Sequence, residues 1–221
     1  MSRFLGPIHH WLFNKITLYE GLESDIIRNV EEKFEVSLSD ITNELQSKIG
    51  SPIENKPLEE LIDTNNIHGW LQNKITIAET RQAAIITSIV NKYGEEGISI
   101  IKECYKNQAI ESGEDAKGKY DVNSPAALYK ALNNYILDGM PCDNVNNITI
   151  NEDNTLEWKV SNCLHKNYWQ SVNGDLDTLY ELREIWISNF IKSANTNFTY
   201  IFKDEHMDGN RLLIHRIEKA E

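Results

Sequence analysis

The spacing of apolar residues predicts two long helices in the first part of the chain. From about residue 8 to residue 34, apolar positions recur every three or four residues, and the same spacing returns from about 67 to 92. An α-helix has 3.6 residues per turn, so this spacing places the apolar residues on one face. Gly6-Pro7 and Asn65-Asn66, which precede the two stretches, are typical helix starts.

The two predicted helices begin with nearly the same sequence. Ile8–Glu20 reads IHHWLFNKITLYE, and Ile67–Glu79, 59 residues later, reads IHGWLQNKITIAE, so only four of the thirteen pairs differ. A buried face requires only apolar residues at the right spacing, and it does not explain the repeated His, Trp, Asn, Lys and Glu. We interpret the repeat as a duplicated helix whose two copies pack against each other.

The repeated His and Glu share one face of each copy but lie roughly 16 Å apart along the helix axis. Antiparallel copies would place His9 beside Glu79 and His68 beside Glu20, whereas parallel copies would place His against His. We predict the antiparallel arrangement. Each His–Glu pair would then either fix the helix register as a buried polar pair or form half of a metal site.

The spacing changes from 3.6 to 2 after about residue 140, which predicts strands. Two hairpins, 148–150 with 156–160 and 198–202 with 212–217, flank a helix predicted from 176 to 194. Shorter helices are expected at 39–49 and 57–62, after Tyr93-Gly94, and from Ser124-Pro125 to Asp138-Gly139, with a polar loop at 112–118. We therefore predict an α+β fold in a single compact domain, residues 1–221. Residues 1–140 form a helical half with the internal repeat 8–30/67–89, and residues 141–221 form an antiparallel ββαββ half.

Charge and composition narrow the classes of partner. The chain has 22 Lys and Arg against 34 Asp and Glu, a net charge of −12, which argues against nucleic acids and anionic membrane surfaces. No apolar run reaches the roughly 20 residues of a membrane-spanning helix, and the first seven residues do not resemble a signal peptide. Three irregularly spaced cysteines are typical of reduced thiols. We expect a cytoplasmic bacterial protein that binds a small-molecule ligand or substrate; a homodimer is compatible with this.

Cys142 and Cys163 are the candidate reactive thiols. Cys142 lies in a turn held by Gly139 and Pro141, and Cys163 follows a strand two residues before His165. A thiol near an imidazole can act as a nucleophile, and both groups also bind Zn or Fe. Cys163, His165 and Cys142 are therefore candidate catalytic residues, and buried unreactive thiols are the alternative.

The remaining imidazoles and carboxylates predict a metal or cofactor site if the sheet docks onto the duplicated helices. The candidate ligands of a divalent Zn or Fe ion are His9, Glu20, His68, Glu79 and His206. Trp11 and Trp70 are candidate cofactor-binding residues because they would give such a pocket apolar walls. For each residue, packing in the core is the alternative.

From about residue 85 onward, the chain has a recognisable order of elements. A helix with Tyr93-Gly94-Glu95-Glu96-Gly97 leads to Tyr105, and a strand followed by Cys163, a helix, and a closing hairpin with Asp208-Gly209-Asn210 come after it. This order resembles that of the L-2-amino-thiazoline-4-carboxylic acid hydrolase family. It covers residues 85–218. The family carries a Cys just after the hairpin Gly, where this chain has Asn210 and Arg211. The resemblance implies hydrolysis of a small cyclic C–N bond, with Cys163 as a site residue.

Three functions remain open from the sequence. The first is a small hydrolase in which a Cys or a metal-bound water attacks and a His–Glu pair transfers the proton. The second is a non-catalytic protein that binds a metal, a cofactor or a small ligand, such as a sensor or carrier. The third is a structural role for the His–Glu pairs within a homodimer. The chain has no Gly-rich phosphate loop, H-E-x-x-H, C-x-x-C or G-x-S-x-G motif that would favour other enzyme classes.

Overall fold

The structure is a computed structural model that describes residues 5–143, 145–207 and 210–220, and all their side chains except those of 206, 207 and 210. It is an α+β fold with a helical N-terminal half and a four-stranded antiparallel sheet in the C-terminal half, which confirms the predicted fold class. The helices are α1 (Pro7–Phe34), α2 (Ser39–Ile49), α3 (Leu58–Leu61), α4 (Ile67–Lys119), α5 (Pro125–Leu132), α6 (Lys166–Ser171) and α7 (Leu176–Ala194), and the strands are β1 (Asn146–Glu152), β2 (Thr155–Val160), β3 (Phe198–Met207) and β4 (Asn210–Lys219).

Backbone contacts divide the chain into two compact units. Unit 1 contains the residues up to Cys104 together with Leu137–Met140 and His165–Leu176, and unit 2 contains Tyr105–Ile136, Pro141–Leu164 and the residues from Asp177 onward. The single compact domain expected from the sequence stays a prediction. No helix in the described ranges is both long enough and apolar enough to cross a bilayer.

In unit 1 the two copies of the repeat run parallel, so the predicted antiparallel arrangement is wrong. The rings of His9 and His68 lie 5.6 Å apart between centroids. Further along the pair, the Tyr19 hydroxyl donates to Glu79. Equivalent ends of α1 and α4 therefore meet. Neither His9 nor His68 reaches the glutamate that the antiparallel arrangement assigned to it.

A buried arginine of the second copy, beyond the thirteen near-identical residues, stabilises the parallel arrangement. Arg81 occupies the position equivalent to Leu22, and its guanidinium binds Glu20 and Glu23 of α1. The connection between the two helices contains α2 and α3, and a parallel pair needs such a crossover to bring the chain back. The apolar residues of the seam form the core that was expected: Leu12, Ile16, Leu71, Ile75 and Ala78 are all buried.

In unit 2 the strand order is β1-β2-β4-β3, and the registers confirm both predicted hairpins. Trp158 of β2 pairs with His215 of β4, which pairs with Phe202 of β3. One face of the sheet therefore carries a row of rings, of which Trp158 and His215 are buried. The turn near Asp208-Gly209 lies outside the described residues.

The polar stretch 112–118 is helical, so the predicted loop is wrong. Ser112 and Ala116 are buried, one turn apart on α4. A Cβ at Gly113 would lie 2.6 Å from the Phe190 carbonyl oxygen of α7. Glycine here therefore allows α7 to approach the part of α4 that belongs to unit 2. Small residues at this contact, rather than a turn, account for the composition of the stretch.

Three other boundaries differ from the sequence-based prediction. Gly94, with φ 54° and ψ −134°, interrupts α4 where the second copy was predicted to end, a conformation that favours glycine. The helix predicted to reach Asp138 ends at Leu132, with Ser124 as its N-cap accepting the Ala127 N–H. Helix α6, which begins after His165, was not predicted.

Candidate functional site

The polar centre of unit 1 is built around two buried clusters on α4, one at Arg81 and one at Glu79. Arg81 Nε lies 2.8 and 3.1 Å from the two carboxylate oxygens of Glu23, and Nη2 lies 2.8 Å from Glu20. All three side chains are buried. Burial raises the pKa of the Glu23 carboxyl, and Arg81 opposes that rise.

The Arg81 cluster also fixes the chain that leaves α2. Arg81 Nη1 donates to the Gly50 carbonyl oxygen (3.1 Å), and the Ile53 N–H donates to Glu20 (2.9 Å). Gly50 has φ 132°, and a Cβ there would lie 2.9 Å from Ile77, so this turn needs glycine. The guanidinium of Arg81 and the carboxylates of Glu20 and Glu23 are all bonded to one another or to the backbone, which indicates a structural role.

The second cluster places an imidazole between two carboxylates. His165 Nδ1 lies 2.8 and 2.9 Å from the two oxygens of Glu79, and His165 Nε2 lies 3.2 Å from Asp138 Oδ1. The side chains of Glu79 and His165 are 1% and 6% exposed, whereas that of Asp138 is 19% exposed. We call these three residues the relay; Asp138 is the member that solvent or a ligand reaches most easily.

Local structure explains how the relay forms. Glu79 lies on the buried face of α4, and the Tyr19 hydroxyl of α1 donates to its Oε2 (3.4 Å). His165 directly precedes α6, and its carbonyl oxygen accepts the Trp169 N–H, so a helical turn fixes its backbone. Asp138 is followed by Gly139, whose φ of 65° reverses the chain.

The relay is suited to proton transfer. A carboxylate on Nδ1 fixes the orientation of an imidazole and leaves Nε2 as the nitrogen that gains or loses a proton. In the relay Glu79 holds Nδ1 and Asp138 is the exchange partner of Nε2. The relay contains two carboxyl groups and one imidazole, so its acidic groups outnumber its basic one. The geometry therefore suits either acid–base chemistry or the binding of a cationic group at Asp138.

Cys163 lies in unit 2, where it contacts a buried phenol. The Tyr180 hydroxyl lies beside the Cys163 thiol, and burial together with this thiol raises the pKa of Tyr180. The Arg211 guanidinium lies 4.1 Å from the centroid of the Tyr180 ring and binds Asp204. The resemblance assigned a site role to Cys163 alone, and sequence reasoning did not identify Tyr180 or Arg211.

The other two thiols have contrasting environments. Cys142 is exposed in a single turn of 3₁₀-helix, Pro141–Asp143. Cys104 is buried on α4 in unit 1, where burial raises the pKa of its thiol to about 11. Catalysis by Cys142 or Cys163 stays a prediction, and Cys104 has the properties of an unreactive core residue.

The candidate metal ligands do not fit a metal site in the described part of the protein. His9 Nδ1 accepts the Gly6 N–H (2.9 Å), so the proton of the neutral ring is on Nε2 and neither nitrogen offers a free lone pair. Glu20 binds Arg81 and Glu79 binds His165. Within the described residues, no three His, Cys, Asp or Glu side chains are arranged to hold an ion. The side chain of His206 lies outside the described residues.

In each copy of the repeat, the Trp and the Lys lie one helical turn apart and form a cation–π pair. Lys15 Nζ lies 3.8 Å from the Trp11 ring centroid, and Lys74 Nζ lies 5.4 Å from that of Trp70. Both tryptophans pack against the apolar core of unit 1. Cation–π pairs at i,i+4 therefore explain why Trp and Lys recur. A cofactor-binding role for Trp11 and Trp70 stays a prediction.

His215 is enclosed by aromatic rings in unit 2. Its ring is stacked on Trp158 at 5.0 Å between centroids and lies 5.1 Å from that of Phe202. His215 Nδ1 and the Tyr200 hydroxyl share a hydrogen bond of 2.7 Å. These contacts indicate a structural role for His215 within the sheet.

Sequence reasoning named two of the three relay residues but not their contact. Glu79 was proposed as a metal ligand and His165 as a catalytic residue. Asp138 was read only as a helix end. Its signal was the Asp-Gly pair that follows a helix, because the chain reverses there and delivers a carboxylate at a fixed position. No family model, no curated protein and no solved structure matches this chain.

Proposed function

We propose that the protein is an enzyme that acts on a small molecule, specifically a hydrolase of a cyclic C–N bond, and that the relay is its proton-transfer group. The observation that carries the proposal is the position of His165, buried between Glu79 and the more exposed Asp138. A histidine that only stabilises the fold usually has one hydrogen-bond partner. A proton-transfer group needs an imidazole held in a fixed orientation and a neighbouring group that the substrate can reach.

In the proposed reaction a water molecule attacks the carbon of the C–N bond. Asp138 accepts the proton of the water, supported by His165, and the same proton is delivered to the leaving nitrogen as the bond breaks. Glu79 is a positioning residue because it contacts His165 and not the substrate. The ring-opened product therefore differs from the substrate by one water, with no other reactant consumed.

The resemblance to the L-2-amino-thiazoline-4-carboxylic acid hydrolase family supports the choice of a cyclic C–N substrate. The excess of carboxyl groups in the relay supports it further, since an amidine-type substrate is cationic and would be attracted to Asp138. The free thiols of Cys104, Cys142 and Cys163 are compatible with a reducing cytoplasm, where we place the protein. Cell fractionation tests this location.

Turnover measurements test the proposed function. Wild-type protein is incubated with small lactams, cyclic imides and cyclic amidines, and ring opening is followed by mass spectrometry. His165→Gln and Asp138→Asn are expected to lower kcat by roughly 10²- to 10⁴-fold. Glu23→Gln is the matched control, because Glu23 is a buried carboxylate of the same unit that binds Arg81 instead of His165. Equal rates in wild type and His165→Gln would contradict the proposal.

A non-catalytic ligand-binding protein is the second candidate. The greater exposure of Asp138 within the relay favours it, because a cation could bind at this carboxylate without any bond being broken. Saturable binding of an amidine, lost in Asp138→Asn and accompanied by no ring opening, would support this candidate over the hydrolase.

A further inference from the structure

Trp169 of α6 has a buried indole N–H with no hydrogen-bond partner. The side chain is among the most enclosed of the described residues, at 1% exposed, and its Nε1 contacts no acceptor. A buried donor without an acceptor is costly, so each such group calls for an explanation by a ligand or a water. Trp186 of α7, in unit 2, gives the contrast, since its Nε1 donates to Gln108 at 3.1 Å.

Trp169 lies one helical turn after His165. Its backbone N–H donates to the His165 carbonyl oxygen at 3.2 Å. Side chains four residues apart on a helix are neighbours, and long side chains lean toward the preceding turn. Both arguments place the indole on the side of α6 that carries His165.

The orientation of the ring agrees with this placement. A Cβ at Gly174 would lie 2.9 Å from Trp169 Cε3 and 3.0 Å from Thr87 Oγ1, so the six-membered ring faces Gly174 and Thr87. Nε1 lies on the opposite edge of the indole and therefore points away from Gly174. Along α4, Thr87 lies two turns beyond Glu79, so Gly174 and the Trp169 ring that it faces lie beside the helix that carries Glu79.

We infer that the Trp169 indole N–H binds an acceptor atom of the small molecule that is handled at the relay. This rests on the proposed function for the identity of the site. Asp138 offers an acceptor and Trp169 offers a donor, and the complementary group is a cis amide or urea, which carries a carbonyl oxygen beside an N–H. Trp169 is a specificity residue, since a ligand without the acceptor leaves its donor unpaired.

Indole NMR of the full chain labelled with ¹⁵N-tryptophan tests the inference. The five tryptophans give five indole signals, and Trp169→Phe identifies the one in question. The probe is 2-pyrrolidinone, and the control probe is N-methylpyrrolidine, which has neither the carbonyl nor the N–H. We expect 2-pyrrolidinone to shift the Trp169 signal in a saturable way, and the control probe to leave it in place.

Two variants separate recognition from packing. Trp169→Phe keeps an aromatic ring and removes the N–H, and it is expected to weaken 2-pyrrolidinone binding about tenfold, the effect of one hydrogen bond. Trp186→Phe makes the same change where the N–H is already paired, and it is expected to leave binding unchanged. Equal weakening in both variants, or an unmoved Trp169 signal up to the highest soluble probe concentration, overturns the inference, and the latter result assigns the N–H to a buried water.

The outcome is distinguishable from that of the proposed function. A shifted Trp169 signal without ring opening of any substrate would support the inference and contradict the hydrolase. Ring opening that requires His165 but keeps the wild-type KM in Trp169→Phe would support the hydrolase and contradict the inference.

Discussion

His9 and His68, equivalent residues of the two copies, lie side by side with their ring centroids 5.6 Å apart. Their roles differ because α1 begins two residues before His9, whereas α4 begins one residue before His68. His9 is therefore buried and accepts the Gly6 N–H, while His68 is exposed. The repeat has preserved the residue but not its environment.

Acidification is expected to destabilise unit 1 through His9. Burial, followed by His68 and His10, lowers the pKa of His9 below its usual 6.5. Below pH 6.5 the His9 side chain binds a proton more readily in the unfolded chain than in the folded chain. The stability that neutral His9 contributes above pH 6.5 is therefore lost as the pH falls from 6.5 through the lower pKa of the folded protein. The free energy of unfolding, measured in urea between pH 8 and pH 5, is expected to fall less in His9→Gln than in wild type.

The variant His68→Gln provides the matched control for this pH effect. This variant removes the charge repulsion from His68 and keeps the burial of His9. We therefore expect the pH dependence of its free energy of unfolding to lie between those of wild type and His9→Gln. An identical pH profile in wild type and His9→Gln would contradict the assignment to His9.

Arg81 is expected to be one of the most sensitive residues of unit 1. Arg81→Met leaves Glu20 and Glu23 buried without their cation, and breaking a buried pair in this way costs about 3–5 kcal/mol. Arg28→Met is the control, because Arg28 forms an exposed pair with Asp25 that contributes no more than about 1 kcal/mol. Urea unfolding of both variants at pH 7 measures the difference. Similar losses in the free energy of unfolding would contradict the role of Arg81 as the buried partner of Glu20 and Glu23.

The three thiols are expected to react with iodoacetamide in the order of their exposure. At pH 8 the Cys104 thiol, with its pKa raised to about 11, is almost fully protonated, so its alkylation is expected to be roughly 100-fold slower than that of exposed Cys142. Peptide mass spectrometry of timed samples assigns each rate. Faster alkylation of Cys104 than of Cys142 would contradict the prediction.

Much of the fold could be predicted from the sequence, because the apolar period is a local property. Helix α7 and both hairpins follow from the spacing of residues such as Leu179, Trp186 and Ile217, all of which are buried. The direction of the two repeat helices could not be predicted, because a duplicated seam fits either direction. Arg81, which lies beyond the thirteen near-identical residues of the second copy, stabilises the parallel arrangement.

The candidate site was less predictable, since it depends on contacts between distant segments. Glu79 and His165 were both named, but each was assigned to a different chemistry because 86 residues separate them. The repeated His and Glu drew attention to a symmetric site. In the folded protein, Glu20 and Glu79 have different partners, so the symmetry of the sequence did not carry over to the chemistry.

Two glycine substitutions in the stretch 112–118 test whether it is the helix of the structure or the loop that its composition predicted. Gly113→Ala places a methyl group 2.6 Å from the Phe190 carbonyl oxygen, and forcing α4 and α7 apart is expected to cost about 1–3 kcal/mol. Gly118→Ala, on the same helix, meets no atom within 4 Å, and the higher helix propensity of alanine is expected to stabilise by up to about 1 kcal/mol. Urea unfolding of both variants measures the two effects. If the stretch were a loop, the substitutions would have similarly small effects, so opposite signs support the helix and equal values contradict it.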